Sequence, residues 1–430
     1  MKRESGANPE QSRCCVPFDC TSNLLPLTIV GKADVLGKSE DLQNQLNHVY
    51  SRKVCVGTNL FYFLVSKSMK KVFCGAICAC LAGLVLVSCE PENLGGGPSP
   101  IEMSMPDVFI LCEGTYGANN ADISVYKSDS LLCVGEYYLS QNGQYLGDTG
   151  QDILYHDGHI YVSVYGSSYI AKLDLEGKEL MRYAFSPEEG QPRYLAAQGD
   201  YVYVTLYSGR VAKLAAENLE VVDYAPVGNN PEDLIIYKGQ MLVANSGWGY
   251  DNRVTVIDVA TFDSIASITV EWNPQQFVVA NDSVYLLANG QYDENWNCDY
   301  PVQHIDVATG VARTIAHATR AVAYEGTLYM CNSTTDWATY STVNNFFSYD
   351  VASAAIDSTS FLHDDTGELA SNSIYMMEVN PKDGEFYIGL AGNKFVSSGV
   401  VHRCDKEGYL LHRFDVKGAN PNQAAFVGGE

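Results

Sequence analysis

A short apolar pattern recurs seven times along this chain, and it restricts the fold more strongly than any other feature. Each copy has apolar residues directly on both sides of a central position, usually Tyr, and then breaks into a polar or glycine-rich stretch. The central positions are separated by 52, 42, 39, 43, 44 and 58 residues, and they are Phe109, Tyr161, Tyr203, Leu242, Tyr285, Tyr329 and Tyr387. A period of about 40–45 residues built from short strands is typical of the blades of a β-propeller.

Two further strand patterns repeat in step with the first. Each copy is preceded by a strand that often opens with Asn-Pro or Gln-Pro, as in Pro231–Gly239. It is followed by a strand that usually runs into Asp and a turn, as in Val256–Ile265, because an Asp carboxylate can accept a hydrogen bond from the backbone two residues later. Every unit therefore predicts four strands, a to d, with tight a–b and c–d turns and a variable b–c loop.

The two ends of the repeat region predict how the ring closes. The first unit begins with a strand b at Asp107 and lacks a strand a, whereas a lone strand a, Pro421–Val427, stands near the C-terminus. Pairing these two strands leaves no free sheet edge at the seam. We therefore predict an all-β, seven-bladed β-propeller of four-stranded antiparallel blades over residues 107–430. A long β-sandwich or a β-solenoid would not explain this offset.

A lipoprotein signal peptide is predicted over residues 69–88. It combines Lys70 and Lys71 with an apolar segment and the lipobox Leu86–Cys89, so Cys89 is the predicted lipidation site. The alternative is a transmembrane helix, but only 17 uncharged residues separate Lys71 from Cys89, which is short for a membrane span.

The segments around this signal complete the predicted domain organisation. Residues 89–106 are rich in Gly and Pro and are predicted to be a flexible linker after the lipidated cysteine. Because a signal peptide stands at the start of a protein, translation is expected to begin at Met69. Residues 1–68 are accordingly interpreted as an upstream mis-extension or a disordered segment.

Charge and cysteine content exclude several classes of partner. Residues 89–430 carry 17 Lys and Arg against 45 Asp and Glu, a net charge of −28. Such an acidic surface repels nucleic acid and anionic head groups, so we expect no nucleic-acid partner and membrane contact through the lipid anchor only. The five cysteines after Cys89 lack C-x-x-C spacing, which argues against zinc and leaves one incidental disulfide open.

The b–c loops and the d–a connections emerge on the same face, which we call the loop-rich face. Three of the four Trp residues lie in its b–c loops, among many Tyr and Asn residues. Rigid rings combined with amides and Arg suit the recognition of a ligand, although these rings could instead only cap the blades and plug the channel. The predicted ligand-binding residues are Tyr116, Asn119, Tyr169, Arg193, Tyr194, Tyr207, Trp248, Tyr250, Arg253, Tyr292, Trp296, Arg320 and Trp337.

Arg193 and Arg320 are distinctive within this set because each stands near the start of a strand a, close to the channel. They could meet an anionic group of a ligand or pair with a neighbouring acidic side chain. Signals for catalysis are weak, since the chain has no G-x-S-x-G, H-E-x-x-H or phosphate-loop motif. We predict no catalytic residue, no cofactor and no metal. The acidic residues that could build a calcium site lack EF-hand spacing, and they are Asp251, Asp293, Glu294 and Asp299.

Several of these features together resemble the YncE-like propeller lipoproteins of Bacteroidota. The resemblance covers Asp107–Val427 and rests on the lipobox, the Tyr-containing strands and the motifs Glu113-Gly114-Thr115-Tyr116, Leu146-Gly147-Asp148 and Pro192-Arg193-Tyr194. Within that group the chain is similar to the BtuG-type surface lipoproteins. This similarity implies a corrinoid ligand that is passed to a TonB-dependent outer-membrane transporter, and a lipid-anchored position at the outer membrane or cell surface.

Two other classes of function remain open. The first is an adhesion or scaffold propeller that binds protein or glycan. The second is a lactonase- or quinoprotein-like enzyme, because seven-bladed propellers host both kinds of activity.

Overall fold

The computed structural model describes residues 105–294 and 297–429. None of the helices in this part of the chain is long and apolar enough to span a membrane. The predicted signal peptide and lipidation site lie outside the described residues, as does the linker except for its last two residues. These predicted segments are 1–68, 69–88 and 89–106, the last of which contains Cys89.

Seven four-stranded antiparallel sheets make up the described part of the chain, which confirms the predicted seven-bladed propeller. The first blade contains β1 (Val108–Cys112), β2 (Asp122–Lys127), β3 (Leu132–Val134) and the last strand, β28 (Pro421–Phe426). The second contains β4 (Gly150–His156), β5 (His159–Val164), β6 (Tyr169–Leu173) and β7 (Glu179–Ala184). The third contains β8 (Pro192–Gln198), β9 (Tyr201–Leu206), β10 (Arg210–Ala215) and β11 (Val221–Pro226). The fourth contains β12 (Pro231–Tyr237), β13 (Gln240–Asn245), β14 (Arg253–Asp258) and β15 (Ser264–Thr269). The fifth contains β16 (Pro274–Ala280), β17 (Ser283–Ala288), β18 (Pro301–Asp306) and β19 (Val311–His317).

The last two blades carry the longest strands of the ring. The sixth contains β20 (Arg320–Tyr324), β21 (Thr327–Asp336), β22 (Ser341–Asp350) and β23 (Ala355–Asp357), and the seventh contains β24 (Ile374–Val379), β25 (Phe386–Leu390), β26 (Ser398–Cys404) and β27 (Leu410–Ala419). Two short helices, α1 (Tyr137–Asn142) and α2 (Glu368–Ser371), lie in connections between blades, where the sequence analysis expected no helix.

The ring closes at the predicted seam. Strand β28 pairs antiparallel with β1, with Phe109 opposite Ala425 and Leu111 opposite Gln423. The sheet order β28-β1-β2-β3 therefore makes the C-terminal strand the innermost strand of the first blade. The closing strand is also well buried, since Phe426 is only 7% exposed. This pairing satisfies the strand edge that would otherwise be open.

The repeated apolar positions form the packing between blades. Six of the seven central residues are buried, and Tyr329 is half-buried. Side chains alternate between the two faces of a strand, and each face of a blade packs against a neighbouring blade, so apolar runs such as those of β5 and β9 are buried on both sides. The hydroxyl of Tyr161 also donates to the backbone oxygen of Ala216 in the next blade, at 3.0 Å.

A β-bulge follows the first residue of six innermost strands. In each of these strands the register shifts, so that the second residue has no partner on the adjacent strand, and these residues are Gln151, Arg193, Glu232, Gln275, Tyr375 and Asn422. A bulge inserts an extra residue and re-aims its side chain. The innermost strand of the sixth blade pairs without a shift from Arg320 onward.

One predicted loop is instead a strand hairpin. The repeat predicts a variable b–c loop in every unit, but in the sixth blade β21 and β22 stay paired out to Asp336 and Ser341. The reason is that both segments contain β-branched Thr, which suits strands without being apolar. The Thr335 and Thr342 hydroxyls are hydrogen-bonded at 2.9 Å across the pair. The hairpin therefore extends beyond the other blades on the loop-rich face.

Candidate functional site

An axial cavity of about 730 Å³ opens on the loop-rich face. All seven innermost strands contribute to its lining through their first residues, which include Gln151, Arg193, Asp233, Gln276, Arg320, Tyr375 and Asn422. In six of these strands a bulge at the second residue re-aims the side chains at the start of the strand, whereas Arg320 lines the cavity from a strand without a bulge. The cavity is therefore a product of the repeat itself and not of one unusual loop.

The cavity wall is continued by the fifth, sixth and seventh blades. Here the lining includes apolar groups of Leu287, Ala288 and Phe395 together with the rings of Tyr300 and Trp337. The rings of Trp337 and Phe395 lie 5.9 Å apart, between their centroids. Asn332 to Thr335 of the extended hairpin add polar groups to the same wall. The cavity thus combines an amide-rich centre with an apolar and aromatic side.

A buried ion pair joins the third and fourth blades near the mouth of the cavity. The guanidinium of Arg193 donates to Glu232 Oε2 from Nε at 2.9 Å and from Nη2 at 2.7 Å, and it also donates to the side-chain oxygen of Gln151. The other oxygen of Glu232 accepts from the Tyr207 hydroxyl at 2.7 Å and from Ser246 Oγ at 3.0 Å. Both oxygens of the Glu232 carboxylate therefore accept hydrogen bonds, and the Arg193 guanidinium is fixed in position.

Side chains of other blades extend this network around the axis. Asn422 donates to the backbone oxygen of Gln151 at 2.7 Å, which links the first and second blades. The Tyr375 hydroxyl donates to Glu113, which links the seventh blade to the first. Arg320 donates to the backbone oxygen of Tyr375 at 3.3 Å, which links the sixth to the seventh. In the fifth blade Gln275 bonds instead to the nearby Asn273 at 2.7 Å.

Two acidic side chains of the inner strands hold neighbouring blades together. Asp152 accepts from the backbone N–H groups of Ile153 at 2.8 Å and of Leu195, in the next blade, at 2.6 Å. Asp233 accepts in the same way within its own strand and from Phe277 of the next blade at 2.7 Å. Burial raises the pKa of Asp152 to about 8 and that of Asp233 to about 7, against the opposing effect of these N–H donors.

A third acidic side chain, Glu378, lines the cavity from β24. Burial, together with the negative charges of Asp152 and Asp233, raises the pKa of Glu378 to about 8, although Arg320 opposes this shift.

Four of the predicted ligand-binding residues line the cavity: Arg193, Tyr194, Arg320 and Trp337. Tyr207 lies directly behind them, because its hydroxyl bonds to Glu232 and its ring lies 4.8 Å from the guanidinium of Arg193. For Arg193, the structure therefore has the pairing with an acidic neighbour that the sequence left open.

Five other predicted residues lie around the rim of the loop-rich face. Tyr116, Trp248 and Tyr250 are exposed, the last to 77%. Asn119 is exposed in a left-handed turn, with φ of 53°. Arg253 pairs with Asp251 at 2.6 Å.

Two predicted residues are less accessible than the sequence analysis expected. Tyr169 begins β6 and is 4% exposed, because its hydroxyl donates to the Leu146 backbone oxygen and its ring lies 4.2 Å from the guanidinium of Arg182. Tyr292 is half-buried, and its ring lies below the turn that contains Gly249. Trp296 lies outside the described residues.

Sequence reasoning missed several residues that line the cavity, among them Glu113, Gln276, Tyr300, Tyr375, Glu378 and Phe395. The signal that could have found the inner ones is their position in the repeat. The second and third residues of every innermost strand occupy equivalent places next to the axis, whatever their type. The sequence prediction selected aromatic residues of the b–c loops, and several of these lie at the rim.

The described residues have few groups suited to metal binding or to thiol chemistry. They contain no group of three or more His, Cys, Asp or Glu residues that could hold a metal ion. Their five cysteines are free thiols: Cys112, Cys133, Cys298, Cys331 and Cys404. Burial raises the pKa of Cys112 to about 12 and that of Cys298, in the cavity wall, to about 11. A thiol with a raised pKa is a poor nucleophile near neutral pH.

Comparison with known families identifies the relatives of this propeller. A family model, described as a domain of unknown function (DUF5074), matches residues 107–420, which is nearly the whole ring. The chain belongs to the DUF5074 family. No curated protein matches the sequence of this DUF5074 protein.

Solved structures similar to this DUF5074 protein share its fold at low sequence identity. A quinoprotein alcohol dehydrogenase-like protein of Bacteroides thetaiotaomicron is 18% identical, with a TM-score of 0.53 over 75% of this chain and 78% of the other. Hydrazine synthase of Kuenenia stuttgartiensis is 17% identical, with a TM-score of 0.52 over 63% of this chain and 88% of the other. A Lactobacillus plantarum protein is 12% identical, with a TM-score of 0.50 over 75% and 100%. At these identities the similarity concerns the fold alone.

Proposed function

We propose that this DUF5074 protein is a lipid-anchored binding protein that captures a small molecule in its axial cavity. The observation that carries the proposal is the cavity itself, whose volume of about 730 Å³ lies in the range of small-molecule sites, roughly 300–1,000 Å³. Its lining from all seven blades is held by hydrogen bonds between blades, so the site is largely preformed. A preformed site avoids the ordering cost that a flexible one has on binding.

Corrinoids are the first ligand class to test. The resemblance to the BtuG-type lipoproteins suggests them, and so does the amide-rich lining, which includes Gln275, Gln276, Asn289, Asn422 and Gln423. The corrinoid periphery carries many amide groups, and amides satisfy one another as donors and acceptors. A corrinoid is larger than a typical drug-sized ligand, so it would also reach the wall at Trp337 and Phe395. Delivery to a TonB-dependent outer-membrane transporter, from an anchor at Cys89, is the role that this ligand class would give the protein.

A second candidate function is favoured by the rim. Tyr250 is 77% exposed, Tyr116 54% and Trp248 49%, and all three lie on the loop-rich face outside the cavity lining. Exposed aromatic residues are enriched where proteins meet one another. An adhesion or scaffold propeller that binds protein or glycan would use these residues and not the cavity.

A thermal-shift screen of the purified propeller against corrinoids, haem and glycans tests the proposal. A ligand at 100 times its Kd should stabilise the protein by about 2.7 kcal/mol. The Trp337→Ala variant should weaken binding by about 2 kcal/mol, roughly thirtyfold, if Trp337 is an anchor of the cavity. The Tyr250→Ala variant and the opposite-face control Lys238→Ala should bind like wild type.

Two results would contradict the proposal. If no small molecule in the screen stabilises the protein at high micromolar concentration, the corrinoid hypothesis and the wider small-molecule proposal lose their support. If Tyr250→Ala weakens binding of a glycan or protein while Trp337→Ala does not, the rim is the functional surface and the scaffold candidate takes precedence.

A further inference from the structure

We infer that the inner end of the axial cavity is a subsite for a positively charged nitrogen group of the ligand, with the Glu378 carboxylate as its acceptor. This inference deepens the proposed function and rests on it. It follows from the position of Glu378, from the hydrogen bonds of the groups around it and from the balance of charge at the axis.

Glu378 lies deep in the channel. Glu378 is the fifth residue of β24, whereas Asp233 is the third residue of β12 and Gln151 the second of β4. Strands rise about 3.3 Å per residue, so Glu378 reaches further along the channel than the residues that form the mouth. Its side chain nevertheless lines the cavity. A ligand group that enters from the loop-rich face and follows the axis meets this carboxylate at the end of its path.

Hydrogen bonding separates Glu378 from the other carboxylates. Asp152 and Asp233 each accept from two backbone N–H groups, and Glu113 accepts from the Tyr375 hydroxyl. Among the described residues, none donates a hydrogen bond to Glu378. The Glu378 side chain is half-buried and lines the cavity, so a donor group of a ligand can reach this carboxylate and satisfy it.

Charge at the axis determines which kind of donor fits. The charged groups that act on Glu378 from the other inner strands are Asp152 on β4, Asp233 on β12 and Arg320 on β20. Glu113, next to β1, and Arg193, on β8, also line the cavity, whereas β16 and β28 contribute the neutral amides Gln275, Gln276, Asn422 and Gln423. Arg193 and Glu232 neutralise each other in their ion pair. At pH values above their raised pKa values of about 7 to 8, Asp152, Asp233 and Glu378 lose their protons and outnumber the guanidinium of Arg320, so a cation is then favoured over an anion.

The neighbouring wall indicates the rest of the ligand. Leu287, Ala288, Phe395 and Trp337 form an apolar and aromatic side to the same cavity. A ligand that carries an ammonium or amidinium group on an apolar or aromatic body would therefore match both parts of the site.

Proton linkage gives this subsite a characteristic pH dependence. In the empty cavity the raised pKa of Glu378, about 8, keeps most of this side chain neutral at pH 7. A bound cation favours the charged carboxylate, so binding releases a proton and affinity rises with pH until about pH 8. An anionic ligand group would give the opposite trend, because it is repelled by the charged carboxylate.

Tryptamine and indole-3-acetate are matched probes, since both carry an indole ring but their charges are opposite. We expect tryptamine to bind the wild-type propeller in calorimetric titrations at pH 8.5 and to lose at least about tenfold in affinity in Glu378→Gln, the low end for a hydrogen bond to a charged group. Indole-3-acetate should bind wild type more weakly than tryptamine. The control Glu217→Gln, an exposed residue in the turn after β10, should not change either titration.

Three outcomes overturn the inference. They are the absence of tryptamine binding up to about 10 mM, unchanged affinity in Glu378→Gln, and tighter binding of tryptamine at pH 6 than at pH 8.5. One further result separates failure of this subsite from failure of the proposed function. If a ligand from the screen binds the cavity and depends on Trp337 but ignores Glu378, the proposed function stands and only the cationic subsite is wrong.

Discussion

Replacement of Arg193 by Met tests whether the buried ion pair holds the inner strands of the third and fourth blades together at the cavity. Arg193 is 6% exposed and Glu232 is 3% exposed, and two N–H groups of the guanidinium converge on one carboxylate oxygen. Met preserves the aliphatic volume but leaves the Glu232 charge buried. Loss of one partner of a buried pair commonly costs about 3–5 kcal/mol. Because Tyr207 and Ser246 still donate to Glu232, we expect the lower end, about 3 kcal/mol.

Differential scanning calorimetry at pH 7.5 measures the effect. A loss of about 3 kcal/mol should lower Tm by about 6 °C, or slightly less in a domain of this size. The double variant Arg193→Met/Glu232→Gln should be more stable than Arg193→Met alone, since it also removes the unpaired charge. The exposed Arg313→Met is the matched control, and it should change stability by no more than about 0.5 kcal/mol. A fall in Tm below 2 °C for Arg193→Met (against the roughly 6 °C expected), or a double variant no more stable than that single variant, would refute the reasoning.

Three further predictions concern the seam, the axis and the anchor. Deletion of residues 421–430 removes β28 and exposes the edge of β1, so we expect aggregation or loss of cooperative unfolding, and a monomer with unchanged Tm would contradict the seam. Asp152 and Asp233 hold protons in the folded state that the unfolded chain releases, so the free energy of unfolding should fall as pH rises from about 6.5 to 8. The fall should be up to about 1.4 kcal/mol per pH unit for each group. A Tm that rises over this range would contradict the raised pKa values. Cys89→Ala should release the protein from the membrane fraction, and intact-mass analysis should find no peptide upstream of Met69; membrane retention or an upstream peptide would each contradict the anchor prediction.

The sequence predicted the architecture because the propeller repeats the same physical solution seven times. The apolar run around Tyr161 or Tyr203 indicates a strand buried on both faces, and the spacing between such strands indicates blades. The seam could be predicted because the first and last repeats are complementary. The sequence failed where strand formation does not depend on an apolar run, as in the Ser- and Thr-rich hairpin of β21 and β22.

The candidate site was predicted only in part, since its main contacts join different blades. The sequence placed Arg193 near the channel, but its partner Glu232 lies 39 residues later and becomes a neighbour only when adjacent blades pack. Tyr169 shows the converse error, because an aromatic residue beside a loop can equally be buried within its blade. Glu378 carries no local motif and became visible only once the inner strands were arranged around one axis.

Blocking the axial cavity is the most direct test of whether a small molecule binds there. Gln276 lines the cavity from β16, whereas Gln198 ends another innermost strand, β8, at the opposite face of the ring. The measurement is a calorimetric titration of cyanocobalamin, or of the screened compound with the largest thermal shift, into wild type, Gln276→Trp and Gln198→Trp. Binding should persist in wild type and Gln198→Trp and disappear in a folded Gln276→Trp. Equal binding by all three proteins would contradict a site in the axial cavity.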